Sequence, residues 1–203
     1  TKRLIAEKAF MIEATKLKSP IGKQDQYIAS YGGLNEFYFK KNNKVDVKPL
    51  NISKTVKYKL ENNLLLFFTG FSRKANDILK DQDAKSKKNN KTIISNLDIV
   101  KKYGFQTKNA LLSGDLDKFA KIMHKHWINK KQRSIKMSNS KIDTWYQIGI
   151  KNGALGGKVV GAGGGGFLMF YANNKDKLRK AMKKCGLNEV KFKFDNIGTH
   201  VIS

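Results

Sequence analysis

Five glycines in six positions, Gly161-Ala162-Gly163-Gly164-Gly165-Gly166, are the sharpest local signal in this 203-residue chain. Glycine in regular structure costs roughly 0.5 to 1 kcal/mol per position, so the run implies unusual backbone torsions or a very close approach by another group. It formally satisfies G-x-G-x-x-G, the spacing of a dinucleotide-binding turn. Such a turn must lead from a strand into a helix whose N-terminus faces a pyrophosphate, whereas Phe167-Leu168-Met169-Phe170-Tyr171 is a β-type apolar run. The glycines therefore join two strands, as a tight β-connection or as a loop that something approaches closely. A second candidate is Asp25 in Pro20-Ile21-Gly22-Lys23-Gln24-Asp25-Gln26. It sits just past a helix break and opens a new helix, where a carboxylate either complements the helix dipole or does chemistry. His124 and His126 are two residues apart on a helix and point to different faces, so a shared metal ion is not expected.

The elements that must position these residues are legible from periodicity. Residues 2–18 place Leu4, Ile5, Ala9, Phe10, Ile12 and Leu17 mainly on one helical stripe that Pro20 and Gly22 end. Residues 35–39 and 45–47 read as a hairpin around a polar turn, and residues 64–68 as a buried strand. A short helix over about 72–79 and a lysine-rich loop over 80–91 follow. Three helical segments come next: residues 93–113, broken or capped near Gly104; a helix opened by Gly114-Asp115 that carries Leu116, Phe119, Ile122, Met123 and Trp127; and residues 139–151. The last part reads β-β-α-β-β, with strands entering and leaving the glycine run, a helix over 176–185, and strands over 190–194 and 200–202. Alternating elements of both kinds give an α+β fold.

Composition narrows the class. Forty-one basic against 16 acidic residues leave a net charge of +25, the footprint of a nucleic-acid binder. The excess is almost all lysine, with arginine only at Arg3, Arg73, Arg133 and Arg179, and no basic stripe is interleaved with aromatics. Base readout favours arginine, so specific nucleic-acid binding is not expected; the same field favours an anionic small substrate. No apolar run approaches the ~20 residues that span a bilayer. The single cysteine, Cys185, excludes an intrachain disulfide and suits a reducing cytoplasm. The chain opens in mid-helix, which reads as a truncated start.

Taken together, the two motifs carry a resemblance. Gly22-Lys23-Gln24-Asp25-Gln26 resembles the G-x-x-D-Q signature of GHMP kinases, and Lys158-Val159-Val160 with the glycine run resembles their C-terminal glycine motif, in the right order. Residues 20–35, 64–75, 114–127 and 153–171 are similar to the heptose 7-phosphate kinase branch, so the resemblance covers essentially the whole chain. It implies a remnant of an N-terminal ribosomal-S5-domain-2-like, nucleotide-binding domain over residues 1–62, and a C-terminal ferredoxin-like α/β sandwich over 63–203.

The implied activity is ATP-dependent, Mg²⁺-assisted phosphorylation of D-glycero-D-manno-heptose 7-phosphate at O1, giving the 1,7-bisphosphate for polysaccharide biosynthesis. Another sugar kinase of the class, acting on galactose, fucose or a different sugar phosphate, is the rival, as is a non-catalytic basic binding fragment. Asp25 matches the aspartate that takes or orients the proton of the attacking hydroxyl. Glu13, twelve residues earlier, matches the Mg²⁺ ligand, with a solvated helix carboxylate as its plainer reading. The resemblance further implies Lys23, Gln24, Arg73, Gly163 and Gly164 at the substrate and Gly161, Gly163, Gly164 and Gly165 near the nucleotide phosphates. Lys23 and Arg73 read alternatively as surface cations. Partners are then a sugar phosphate and ATP, with a homodimer allowed and no membrane. The P-x-x-x-G-L-G-S-S motif that opens the phosphate-cradling helix of these kinases is absent from the 203 residues, so activity is expected to require an upstream segment.

Overall fold

The computed structural model describes residues 1–70, 91–161 and 163–200, with the side chains of residues 91–93 and 135 outside the description. The helix expected over 72–79, the loop over 80–91 up to residue 90, Arg73, Ala162 and residues 201–202 of the last expected strand lie outside the described residues. The chain forms two compact units, Thr1–Asn51 with Lys193–Ser203, and Ile52–Phe192.

In the first unit, α1 (Lys2–Met11) runs directly into a π-helical turn over Ile12–Lys16. Leu17 N donates to Ile12 O at 2.9 Å, the i→i−5 bond of that turn, and Lys18 then reverses the chain at φ +51°. α2 (Gln24–Tyr31) follows, then the hairpin of β1 (Asn35–Phe39) and β2 (Val45–Pro49), whose register pairs Phe39 with Val45 across the polar turn. Ala6, Tyr27 and Val45 are buried together, with Tyr31, Phe37 and Val47 packed around them. The end of the chain belongs here as well. Gly33 N donates to Asp195 O at 2.7 Å and Thr199 N to Ala29 O at 2.9 Å, so the tail is laced to the end of α2 and to the residues that follow it.

The second unit begins with α3 (Lys54–Asn63), a helix with no counterpart in the periodicity reading, which passes without a break into β3 (Leu64–Phe68). That continuity explains why the compact units divide between Asn51 and Ile52, a little before the division at residue 62 read from the sequence. After β3 come α4 (Lys91–Ser113), α5 (Leu116–Lys131), a 3₁₀ turn (Ile135–Met137) and α6 (Ser140–Lys151). Then β4 (Ala154–Val159), β5 (Phe167–Ala172), α7 (Lys175–Lys184) and β6 (Glu189–Val190) complete the unit. The strands form one antiparallel sheet in the order β4-β5-β3-β6, which is the ferredoxin-like order with extra helices in the first crossover. Leu65, Phe67, Leu168 and Phe170 from the sheet bury against Trp127, Ile142, Tyr146, Leu178 and Met182 from the helices.

Two expectations are corrected. α4 is continuous through Gly104. The penalty of one exposed glycine, about 1 kcal/mol, is too small to break a 23-residue helix that packs along α5. The strand expected over 190–194 is only Glu189–Val190, paired with Phe67 and Leu66, and His200 is not in a strand; the tail of this unit therefore reads β-β-α-β. Residues from Lys193 onward belong to the first unit, where Asp195 O accepts from Gly33 N, so the alternation Phe192, Phe194 does not continue as a strand of this sheet.

Candidate active site

The junction between α1 and α2 gathers the first set of candidates. Glu13 lies in the π-helical turn, half-buried, and its Oε1 accepts from Gln26 Nε2 at 3.0 Å. Gln26 is buried, and its own Oε1 has no hydrogen-bond partner. Asp25, the preceding residue, is exposed in the first turn of α2 and makes no hydrogen bond or ion pair among the described residues. A carboxylate held there gains from the helix dipole and keeps all its oxygen lone pairs for a ligand. Gln24 is likewise exposed. Mg²⁺ prefers one or two carboxylates completed by water and substrate phosphate. An unpaired Glu13 oxygen beside an orphaned buried amide oxygen fits that preference.

Lys23 has a different setting. Its Nζ bonds both oxygens of Glu7 at 2.8 and 2.9 Å and Asn43 O at 2.9 Å, and it lies 5.1 Å from the centre of the Phe10 ring. Three donors meet three acceptors, so this ammonium ties α1 to the turn of the hairpin. The Tyr27 hydroxyl donates to the same carboxylate. Burial pushes the Glu7 carboxyl up, but the hydrogen bonds from Lys23 and Tyr27 and the charges of Lys23 and Arg3 outweigh it and hold the group below its ordinary value. Burial and the bond to Glu7 raise Tyr27 to about 12. Glu7 is not singled out in the sequence, and Gln26 stands there only as the last position of a motif, with no role of its own. The G-x-x-D-Q pattern itself pointed to Gln26, whereas nothing local marks Glu7, sixteen residues from its partner.

The glycine run closes the β4–β5 hairpin, with Val160 N donating to Phe167 O at 2.9 Å. Gly161, Gly163, Gly164 and Gly166 all have positive φ, between 73° and 111°. Three elements hold the loop: Lys130 Nζ donates to Gly161 O at 2.5 Å, Gly164 N to Met137 O at 2.8 Å, and Thr69 N and Oγ1 to Gly166 O at 2.9 Å each. The amides of Gly161, Gly163, Gly165 and Gly166 make no hydrogen bond among the described residues. Unbonded backbone amides in a glycine-rich turn can bind an oxyanion. Gly163 has a packing reason too, since a Cβ there would stand 2.9 Å from Met137 Sδ and 3.1 Å from its carbonyl oxygen.

The two histidines have different neighbours. His124 Nδ1 is 2.8 Å from the Tyr146 hydroxyl, which itself donates to Gly157 O at 3.0 Å. His126 meets the Tyr103 ring edge-on at 6.5 Å and is held down to about 4 by burial and by Lys158, Arg133 and Lys130. Between pH 6.5 and 4 the unfolded chain therefore binds a proton at this site that the folded chain refuses, and stability falls as the pH drops through that window. Allowing for partial exposure, His126 should cost on the order of 2 kcal/mol at pH 4.5 relative to pH 7. Urea unfolding at both pH values should show a larger acid loss for the wild type than for His126→Gln; equal losses would mean that His126 titrates normally.

The comparisons with known proteins give the class first. Residues 107–188 match the family described as GHMP kinases C terminal, and this part of the chain is a GHMP kinase C-terminal domain. The chain is 36% identical over 182 residues to the D-glycero-alpha-D-manno-heptose 7-phosphate kinase of Campylobacter jejuni, a match covering 89% of this chain and 53% of that protein. Among solved structures, a D-glycero-D-manno-heptose 1-phosphate kinase of Bacteriodes thetaiotaomicron superposes with TM-score 0.72 at 28% identity, covering all of this chain and 56% of the other. A sugar kinase of Campylobacter jejuni does so with TM-score 0.71 at 32% identity, covering 98% and 56%. The chain thus spans about half the length of each of these three relatives.

Proposed function

We propose that the chain is the part of an ATP-dependent sugar kinase that carries the catalytic base, and that the acceptor is D-glycero-D-manno-heptose 7-phosphate, phosphorylated at O1. The observation that carries this reading is Asp25, an unpartnered carboxylate in the first turn of α2 whose neighbour Gln26 is anchored on Glu13. Asp25 accepts the proton of the sugar hydroxyl, the hydroxyl oxygen forms a bond to the γ-phosphorus of ATP, and the bond to the β,γ-bridging oxygen breaks, releasing ADP with that electron pair. Glu13 is the residue that would hold Mg²⁺, which neutralises phosphate charge. The free amides of the glycine loop suit the phosphates of either substrate. Lys23, committed to Glu7 and Asn43, serves this site through the position of the helix that begins at Gln24.

A coupled ADP-release assay on the full-length gene product that carries this chain tests the reading. Heptose 7-phosphate should be turned over in preference to heptose 1-phosphate, galactose and fucose, with the new phosphate at O1. Turnover of galactose or fucose with none of either heptose phosphate would overturn the substrate assignment, and no turnover of any sugar would overturn the kinase reading.

A further inference from the structure

Burying a cation is expensive unless an opposite charge or several acceptors face it. Lys23, Lys131 and Arg179 obey this rule, paired with Glu7, Asp143 and Glu189. One region of the second unit does not. His126 and Lys130 stand one turn apart on α5, and Arg133 follows just past its end. Arg133 Nε donates to Asn96 Oδ1 at 2.6 Å, but its Nη2 is buried without a partner. Asn96 cannot turn to satisfy it, because Asn96 and Asn129 are locked in a reciprocal amide pair, with Nδ2 to Oδ1 distances of 2.9 and 3.1 Å.

Lys158 completes the group from β4. Residues two apart on a strand share a face. A Cβ on Gly156 would lie 1.9 Å from Ala120 O of α5, so Lys158 leaves the strand on the α5 side. No hydrogen bond or carboxylate partner of Lys158 is present among the described residues. Lys130 Nζ, on Gly161 O, links the cations to the start of the glycine loop.

We propose that His126, Arg133 and Lys158, with Lys130 at their edge, form an anion subsite of the second unit that takes a phosphomonoester. The region offers donors from three side chains and, among the described residues, no carboxylate facing them, the arrangement that recognises phosphate. Among the described residues, the groups facing His126 are Tyr103 from α4, Lys130 and Arg133 from α5 and its end, and Lys158 from β4; none is acidic. Burial and these three cations hold His126 neutral, and burial lowers Lys158 as well, both of which a bound oxyanion would reverse. The subsite deepens the sugar-phosphate reading by supplying a place for a phosphate that is not transferred, and rests on that reading only for the identity of its natural ligand.

Inorganic phosphate, titrated into the chain against chloride at matched ionic strength and followed by the His126 ring resonances, is the test. Saturable binding is expected, with the His126 pKa rising by at least one unit. Lys158→Met and Arg133→Met should each weaken binding about tenfold or more, while Lys183→Met at an exposed helix position should not. A hexose 6-phosphate that displaces phosphate where glucose and ADP do not assigns the subsite to the acceptor's own phosphate; displacement by ADP assigns it to the nucleotide. Shifts that track ionic strength alone, or that persist unchanged in Lys158→Met, overturn the subsite. Because the wild-type His126 titration needs no variant, misfolding of a mutant leaves the test intact. Loss of kinase turnover with phosphate binding retained would strike the proposed activity and spare the subsite.

Discussion

Under the proposed function, Asp25→Asn in the full-length gene product is expected to lower kcat by about 10² to 10⁴, the usual contribution of a positioned general base. KM for ATP and sugar should stay within a few-fold, because asparagine keeps the shape and removes only the proton acceptor. Folding should barely change: Asp25 is exposed and unpartnered, and removing a carboxylate from a helix N-terminus costs roughly 0.3 to 1 kcal/mol. Steady-state kinetics with a thermal melt on the same preparation separates the two effects. A kcat above one tenth of wild type would make Asp25 a helix-dipole residue and nothing more.

The largest structural effect is expected at Gly156. β4 lies so close to α5 that a Cβ at this position would stand 1.9 Å from Ala120 O and 2.7 Å from Ala120 C, and both obstacles are backbone. A helix and a strand cannot yield locally as the tip of a side chain can, so Gly156→Ala must push the two elements apart and open the buried cluster around Trp127 and Phe170. A loss of about 3 kcal/mol or more is expected, a large fraction of a domain's total stability. Gly161→Ala is the matched control. Nothing lies within 4 Å of a Cβ there, and the penalty reduces to the φ of +83°, about 1 to 2 kcal/mol. Urea unfolding of the two variants decides it: Gly156→Ala as stable as Gly161→Ala would mean that β4 can lift from α5 freely.

These two glycines show where the reach of sequence reasoning ends. The run over 161–166 announces itself, because five glycines in six positions exceed what any strand tolerates and the apolar run after it excludes a strand-to-helix turn. Gly156 announces nothing. Its necessity comes from a carbonyl thirty-six positions earlier in the chain, and no local pattern encodes that distance. The same contrast separates Asp25, flagged by a break followed by a helix, from Gln26 and Glu7, whose partners are thirteen and sixteen residues away. Lys23 reads from the sequence as a substrate residue or a surface cation, and in the fold Glu7 and Asn43 occupy it.

The sequence by itself determined the α+β class, the hairpin, the strand at residues 64–68, the β4–β5 connection and the carboxylate at the head of α2, because side-chain periodicity and helix punctuation are short-range properties. The tertiary structure decided which charges are spent and which remain available. It neutralised Lys23, left Asp25 open, orphaned an oxygen of Gln26, and gathered His126, Arg133 and Lys158 with no carboxylate between them among the described residues. It also sent the chain end back to α2, where the sequence reading had placed strands. The physical reason is common to all of these. Hydrogen-bond satisfaction and charge pairing depend on distances between elements far apart in sequence, which folding alone brings within about 3 Å.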